Sequence, residues 1–270
     1  MEARLRVRRF DPESGDADAR SGARYQSYAL EVPGYATVLD TLLQIRDDLD
    51  GSLALRCSCR SAICGSCAMR INGQARLACK TKVSALAPNG EEITVEPMGN
   101  MPVIKDLVTD MASFWNKVKA VEPWLQPAGP PPKREYLVSQ DATHDLTQVM
   151  ACIMCGACVS DCATLEAELG LGKDPDATFL APAALAKAYR FVADPRDGAD
   201  SERLLALSRA EGIWDCTRCN ICVEVCPKGV APMDQILALR RKAIEAGYEE
   251  NLGARHTLEF EKTVRESAWL

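Results

Sequence analysis

The stretch "DCTRCNICVEVCPKG" (Asp215–Gly229) sets Cys216, Cys219, Cys222 and Cys226 at C-x2-C-x2-C-x3-C spacing and follows the last thiol with Pro227. Turns of two residues bring three sulfurs to one cluster, and the fourth thiol reaches across to a second. Such a run therefore requires a partner set. Cys152, Cys155, Cys158 and Cys162 supply it with the same spacing, although the residues between the cysteines do not match. Crossing over the fourth ligands gives one cubane-type site of Cys152, Cys155, Cys158 and Cys226 and another of Cys162, Cys216, Cys219 and Cys222. Thiolates also suit zinc, so two structural zinc knots are the competing reading, but zinc sites rarely use paired sets with this cross-over. Pro227 ends the loop, an ordinary structural role.

A third group is spaced differently. Cys59, Cys64 and Cys67 follow x4 and x2 intervals, and Cys79 comes later, the plant-type pattern for a 2Fe-2S cluster. Gly65 between two of these ligands lets backbone approach the sulfides, and amides there are expected to donate to sulfur. Ser61 and Ser66 are expected to hydrogen bond within the loop. Cys57 fits no four-thiolate scheme and is read as a spare thiol.

Thirteen cysteines in 270 residues, gathered into three groups, argue for metal ligation in a reducing compartment rather than for scattered disulfides. The start, "MEARLRVRRFDPESGDADAR", has no apolar h-region, so neither a signal peptide nor a transit sequence is expected. No stretch approaches the roughly 20 apolar residues of a spanning helix, because "FLAPAALAKAYRFVA" is broken by Lys187 and Arg190. The chain is expected to be soluble by itself and to meet a membrane only through a partner. A net charge of −6 with no long basic run gives no reason to expect nucleic acid.

Short half-alternating runs, Arg4 to Phe10 and Tyr25 to Val32, predict two strands, and "TVLDTLLQIRDDLD" (Thr37 to Asp50) predicts a helix. "CAMRING" and "EEITVEP" predict further strands, with Asn72-Gly73 as a hairpin turn. These make a small domain over about residues 1–105. "IKDLVTDMASFWNKVKAV" reads as a helix, and "QPAGPPPK" (126–133) as an extended connector. Beyond it, "DLTQVMACIMCGAC", "PAALAKAYRFVA" opening on Pro182, and "MDQILALRRKAIEA" favour helices, so residues 106–270 are expected to form a mostly α domain with cysteine loops between its helices. The fold class is thus α+β.

The order and motifs resemble the iron-sulfur subunit of succinate dehydrogenase and fumarate reductase, over roughly residues 3 to 245. "CRSAICGSCAMRING...LAC" resembles that family's 2Fe-2S loop, "MPVIKDLVTDM" its passage between domains, "FLAPAALAKAYRFVADPRD" the helix between its C-terminal cysteine sets, and "EVCPKG" its last ligand. The resemblance implies a β-grasp 2Fe-2S ferredoxin-like domain followed by an α-helical ferredoxin domain. It also implies a catalytic partner that carries FAD, and a membrane anchor of cytochrome b type that carries any haem, with quinone at the interface. The subunit would then sit peripherally on the cytoplasmic side of the cell membrane.

Two departures stand out. Members of the family typically hold a 3Fe-4S cluster with cysteines matching Cys162, Cys216 and Cys222 and have an apolar residue at the position of Cys219. Here Cys219 supplies the missing thiol, so a 4Fe-4S cluster is expected; the competing reading is that Cys219 points away, or that the fourth iron is lost on oxidation. Many members also place a proline and then a tryptophan after the ligand matching Cys162, and several a histidine after that matching Cys216. This chain has Ala163, Thr164, Leu165 and Glu166, and Thr217, which puts the usual ubiquinone pocket in doubt and makes a low-potential quinone, or a site built by the anchor, more plausible.

Other residues read as ordinary. His144 and His256 are expected at the surface, Trp214 in packing, and Arg56, Arg60 and Arg218 as solvated loop charge. There is no nucleophile-base-acid grouping and no glycine-rich phosphate loop, so no catalytic residue is assigned. Three clusters without bond-making groups describe a wire that takes single electrons from a reduced flavin and passes them on to quinone. A fumarate reductase subunit, quinol- or thiol-linked, would look much the same. A free-standing ferredoxin-type carrier is the alternative from another class; apolar stretches such as "ASFWNKVKAVEPWL" that could dock partners argue against it.

Overall fold

The computed structural model describes residues 1–14 and 24–269. The acidic, glycine-containing part of the N-terminal stretch, 15–23, lies outside them. The elements, in chain order, are β1 Glu2–Arg9, β2 Arg24–Glu31, α1 Val38–Gln44, β3 Ala68–Ile71, β4 Gln74–Leu77, α2 Val83–Leu86, β5 Glu92–Glu96, β6 Val103–Lys105, β7 Val108–Thr109, α3 Ala112–Ala120, α4 Gln140–Met150, α5 Ala157–Ser160, α6 Ala163–Gly170, α7 Ala181–Val192, α8 Asp200–Leu207, α9 Ile221–Glu224, α10 Pro232–Glu245 and α11 Leu252–Ser267. They group into two units interleaved in sequence. The first holds Met1–Phe114, Cys152–Asp161 and Glu224–Lys228, and the second Trp115–Ala151, Cys162–Val223 and Gly229–Leu270.

A five-stranded sheet of order β2-β1-β5-β3-β4 organises the first unit. Inward Ala3, Leu5 and Val7 alternate with exposed neighbours along β1, as a strand with one buried face demands. β1 runs antiparallel to β2 and parallel to β5, the β-grasp arrangement. Asn72 and Gly73, at φ +50° and +77°, close the β3–β4 hairpin as a two-residue turn. Helix α1 begins at Thr37, whose side chain accepts from the amide of Asp40 while the Asp40 carboxylate accepts from the amide of Thr37. Its Val38, Leu39 and Leu42 are buried, each worth about 1.5–3 kcal/mol of burial.

Buried Asp106 fixes the entry to the first cysteine loop. Its carboxylate accepts from the amides of Phe10 (3.0 Å) and Ala54 (2.9 Å) and pairs with buried Arg9 at 2.9 Å. The same residue accounts for a correction to the expected helix over "IKDLVTDMASFWNKVKAV". Asp106 takes φ +46°, β-branched Val103, Val108 and Thr109 pair as a short ribbon around it, and the helix starts only at Ala112, whose amide is capped by Asp110 at 2.8 Å.

Helix α7 is the centre of the second unit, packed by α10, α4 and α8. Pro182 stands in its first turn, where a missing amide is harmless, and its buried alanines 181, 183, 184, 186 and 188 let neighbours approach closely. The expected helix "DLTQVMACIMCGAC" stops at Met150, and the cysteines after it lie in coil and in one-turn α5. Residues 126–133 contain no helix or named strand; buried Arg203 holds the segment leading to them by donating to the carbonyls of Val121, Glu122 and Trp124 at 2.7–3.0 Å.

Candidate iron-sulfur sites

The loop from Cys59 to Cys67 is wound around its own sulfurs. Arg60, Ala62 and Gly65 adopt φ of +55°, +54° and +74°, which turns successive amides inward as an anion nest. The amides of Ser61 (3.3 Å), Ile63 (3.4 Å) and Cys64 (3.3 Å) donate to Cys59 Sγ, that of Ala62 to Cys79 Sγ (3.4 Å), and that of Cys59 to Cys64 Sγ (3.5 Å). Ser66 Oγ lies 3.1 Å from Cys64 Sγ, and Ser61 donates to the carbonyl of Cys59 at 3.0 Å. With the Ser66 hydroxyl first among the causes, these bonds lower the Cys64 thiol to about 6, whereas burial raises that of Cys67 to about 12. Cys67 and Cys79 also feel each other's charge, so all four thiols of this set belong to one neighbourhood.

Gly65 has a second reason to be glycine. A Cβ there would sit 2.7 Å from the Cβ of Cys155 and 2.9 Å from its Cα. The first loop thus touches a cysteine of the second set, and both lie in the first unit. Burial raises Cys155 to about 11, with the thiols of Cys152 and Cys226 also acting on it. Asp161 secures the end of the segment by accepting from the amide of Ala75 at 2.7 Å, and Ser160 Oγ accepts from the amide of Gly99 at 2.9 Å.

The remaining set lies in the second unit. Burial raises Cys162 to about 11 and Cys222 to about 12; Cys162 feels the charges of Cys216 and Cys219, and Cys222 those of all three. Arg240 donates to the carbonyls of Ile213 (2.8 Å), Trp214 (3.0 Å) and Cys216 (2.7 Å), fixing the approach to this loop. Trp214 is buried in packing, with its ring near the Arg240 guanidinium.

The two C-x2-C-x2-C-x3-C loops share more than spacing. Met154 (φ +54°) and Gly156 (φ +80°) flank Cys155, and Arg218 (φ +60°) and Asn220 (φ +68°) flank Cys219. Each loop then enters a four-residue helix, Ala157–Ser160 or Ile221–Glu224, that contains the third cysteine. The cysteine spacing repeats in the sequence, and the backbone repeats with it.

All thirteen cysteines are free thiols. Among the described residues, no three of His, Cys, Asp and Glu are arranged to hold a single metal ion. A cluster places its thiolates on different irons, so its ligands stand farther apart, and the donor set is the soft one that iron-sulfur clusters take. Cys57 stands two residues outside the first set. His144, His256, Arg56, Arg60 and Arg218 are exposed.

Residues 4–116 match the family model described as a 2Fe-2S iron-sulfur cluster binding domain, and residues 148–230 one described as a 4Fe-4S dicluster domain. The chain is 39% identical over 234 residues to a fumarate reductase iron-sulfur subunit of Mycobacterium tuberculosis (strain CDC 1551 / Oshkosh), covering 86% of this chain and 89% of that one. The chain belongs to the succinate dehydrogenase and fumarate reductase iron-sulfur subunit family. A succinate dehydrogenase iron-sulfur subunit of Paracoccus denitrificans is 32% identical, covering 90% of this chain and 91% of the relative. A mitochondrial succinate dehydrogenase [ubiquinone] iron-sulfur subunit of Dictyostelium discoideum is 37% identical, covering 75% and 70%. Among solved structures, a chain of the Mycobacterium smegmatis Sdh1 complex in the apo form matches with a TM-score of 0.81 at 26% identity, covering 92% of this chain and 98% of that one. Family membership makes this an electron-transfer subunit with 2Fe-2S and 4Fe-4S centres. No helix among the described residues is long and apolar enough to cross a membrane.

Reading the sequence residue by residue missed two buried cations of the second unit, Arg240, which holds the carbonyl of Cys216, and Lys117, which donates to the carbonyl of Phe179. The signal was available. Lys117 shares the buried stripe of Phe114, Val118 and Val121, and Arg240 that of Ile236, Leu239 and Ala243, places where a charge needs a reason.

Proposed function

We propose that this chain is the electron-transfer subunit of a succinate:quinone oxidoreductase, taking single electrons from the FAD of a catalytic subunit and delivering them to quinone at a membrane anchor. When bound, the clusters accept and release one electron at a time without making or breaking substrate bonds. The ligands we assign are Cys59, Cys64, Cys67 and Cys79 for 2Fe-2S, Cys152, Cys155, Cys158 and Cys226 for 4Fe-4S, and Cys162, Cys216, Cys219 and Cys222 for the third centre. The observation that carries the reading is the close approach of Gly65 to Cys155, which brings the first two ligand sets together. The amides turned onto Cys59 and Cys79 stabilise negative charge at the first set, and Cys162 and Cys222 of the third are buried from water.

Cys219 is the fourth ligand of the third centre in this reading. Support comes from its backbone, flanked by left-handed residues as Cys155 is, and from the shared field of Cys162, Cys216 and Cys222. Low-temperature EPR on anaerobically prepared complex tests it: a full-occupancy oxidised 3Fe-4S signal would defeat the assignment. Ala163, Thr164, Leu165, Glu166 and Thr217 provide neither the tryptophan nor the histidine typical of a ubiquinone pocket, so the acceptor we assign is a low-potential quinone or a site made mainly by the anchor.

The subunit is peripheral, on the cytoplasmic side of the cell membrane, held by its partners. Purification from native membranes tests the whole. Recovery with a flavoprotein, a membrane subunit and succinate-quinone activity is expected; a monomer in the soluble fraction would favour a free carrier instead. The likeness to a fumarate reductase subunit gives the second reading, in which electrons run the other way, and the ratio of fumarate reduction to succinate oxidation in the same preparation separates the two.

A further inference from the structure

We propose that a pocket beside β4, lined by Arg76, Lys80 and Lys82, is a binding site for a compact polyanion bearing phosphate or carboxylate groups. The pocket has a volume of about 380 Å³ and lies wholly within the first unit, between β4, the segment leading into α2 and the segment 224–227. That volume falls in the range of about 300–1,000 Å³ usual for small-molecule sites. β4 is the last strand of the sheet, so no further strand pairs with its outer edge. Along it Ala75 and Leu77 are buried, while Gln74 and Arg76 are half-buried on the opposite face, the period of two that a strand imposes.

The three cations have no anion of their own. Arg76 Nη2 donates to Gln74 Oε1 at 2.5 Å, but its Nε is buried and meets no acceptor. Lys80 Nζ donates to the carbonyl of Pro227 at 3.3 Å, a neutral partner, and Lys82 is exposed. Among the described residues none of the three forms an ion pair. Acids are not scarce in a chain of net charge −6. Yet the lining sets one carboxylate, that of Glu224, against the three cations, and nearby Asp161, which accepts from the amide of Ala75, is paired with Arg70.

Like charges gathered in one pocket repel one another, and a buried guanidinium nitrogen without an acceptor is costly. A polyanion answers both. The planar guanidinium matches paired oxygens of phosphate or carboxylate, and the two ammonium groups supply movable donors for the remaining charge. Cys226 lines the same pocket, so a bound anion would set its negative charge against that cysteine loop. The site does not depend on which thiols hold which cluster.

Isothermal titration calorimetry with sodium pyrophosphate, citrate and inorganic phosphate tests the site, on the protein purified with its partner subunits into phosphate-free buffer. Pyrophosphate is expected to bind more tightly than inorganic phosphate, and citrate separates a carboxylate from a phosphate preference. Only binding that changes on substitution in this chain belongs to the pocket. Lys80→Gln and Lys82→Gln are each expected to weaken pyrophosphate binding by on the order of tenfold, the loss of one charge-assisted hydrogen bond. Arg76→Lys, which keeps the charge and loses the fork, should weaken it as well. Lys82→Arg and, outside the pocket, Lys105→Gln should retain the affinity. Binding of neither pyrophosphate nor citrate, or equal binding in the wild type and both lysine-to-glutamine variants, would overturn the proposal. So would loss of a partner subunit from Lys82→Gln, because the cations would then be serving a subunit interface.

Discussion

In the loop 152–160, Cys155 stands between left-handed Met154 and Gly156 and lies against Gly65; in the loop 216–224, Cys219 stands between left-handed Arg218 and Asn220 and is exposed. The backbone is repeated and the surroundings are not. One thiol is half-buried against the neighbouring loop, and the other is exposed. Identical cysteine spacing therefore stands in two different surroundings, and packing rather than motif decides how far each second cysteine is exposed.

The largest expected effect comes from exchanging the two second cysteines. Cys155→Ser should remove the 4Fe-4S centre and abolish electron transfer to quinone, whereas Cys219→Ser should leave a three-thiolate third centre with a 3Fe-4S EPR signal and retain turnover. Equal iron loss in both variants, measured per chain, would break the contrast drawn here. Gly65→Ala comes next. A methyl group 2.7 Å from the Cys155 Cβ at a φ of +74° should cost about 1–3 kcal/mol and disturb both the 2Fe-2S and the 4Fe-4S spectra, with no change at the third centre. Thermal unfolding and EPR of one preparation would show it.

Smaller effects sharpen the comparison at the backbone. Arg218 carries a side chain in the left-handed region, so Arg218→Gly should relieve strain and stabilise by up to about 1 kcal/mol, whereas Gly156→Ala should destabilise, since three methionine methyl groups already crowd that position. Opposite shifts in urea midpoint are the expected outcome. The smallest effect is at Asp215, whose counterpart in the other loop is Ala151. Burial raises its carboxyl above the ordinary range, so the folded chain holds that proton more tightly than the unfolded one. Stability from this group is present below the unfolded pKa and lost as pH rises through the folded one. Asp215→Asn should accordingly raise the urea midpoint at pH 7 and leave it unchanged near pH 3; a variant less stable at pH 7 would contradict this.

Local rules made much of the fold legible. Alternation marked β1, β2 and β5, Asn72-Gly73 marked the hairpin, and Pro182 marked the start of α7. The helix expected from Ile104 onward begins eight residues later, at Ala112, because Asp106, deep in the core, is recruited by Phe10, Ala54 and Arg9, partners far away in sequence. Helix α11 was not anticipated either. Its apolar residues are sparse, and Leu252 and Phe260 remain exposed, so its pattern is weak.

Spacing by itself divided twelve thiols into three groups and proposed that the fourth members of two of them exchange partners, because a chain of two-residue turns can wrap a cluster in few ways. Only the tertiary structure decided what surrounds each set. Gly65 reaching Cys155, Cys219 left in the open, and Arg240 held against the carbonyl of Cys216 are all consequences of packing between segments distant in sequence. Burial and electrostatic fields depend on which atoms are near in space, and no short stretch of sequence fixes that.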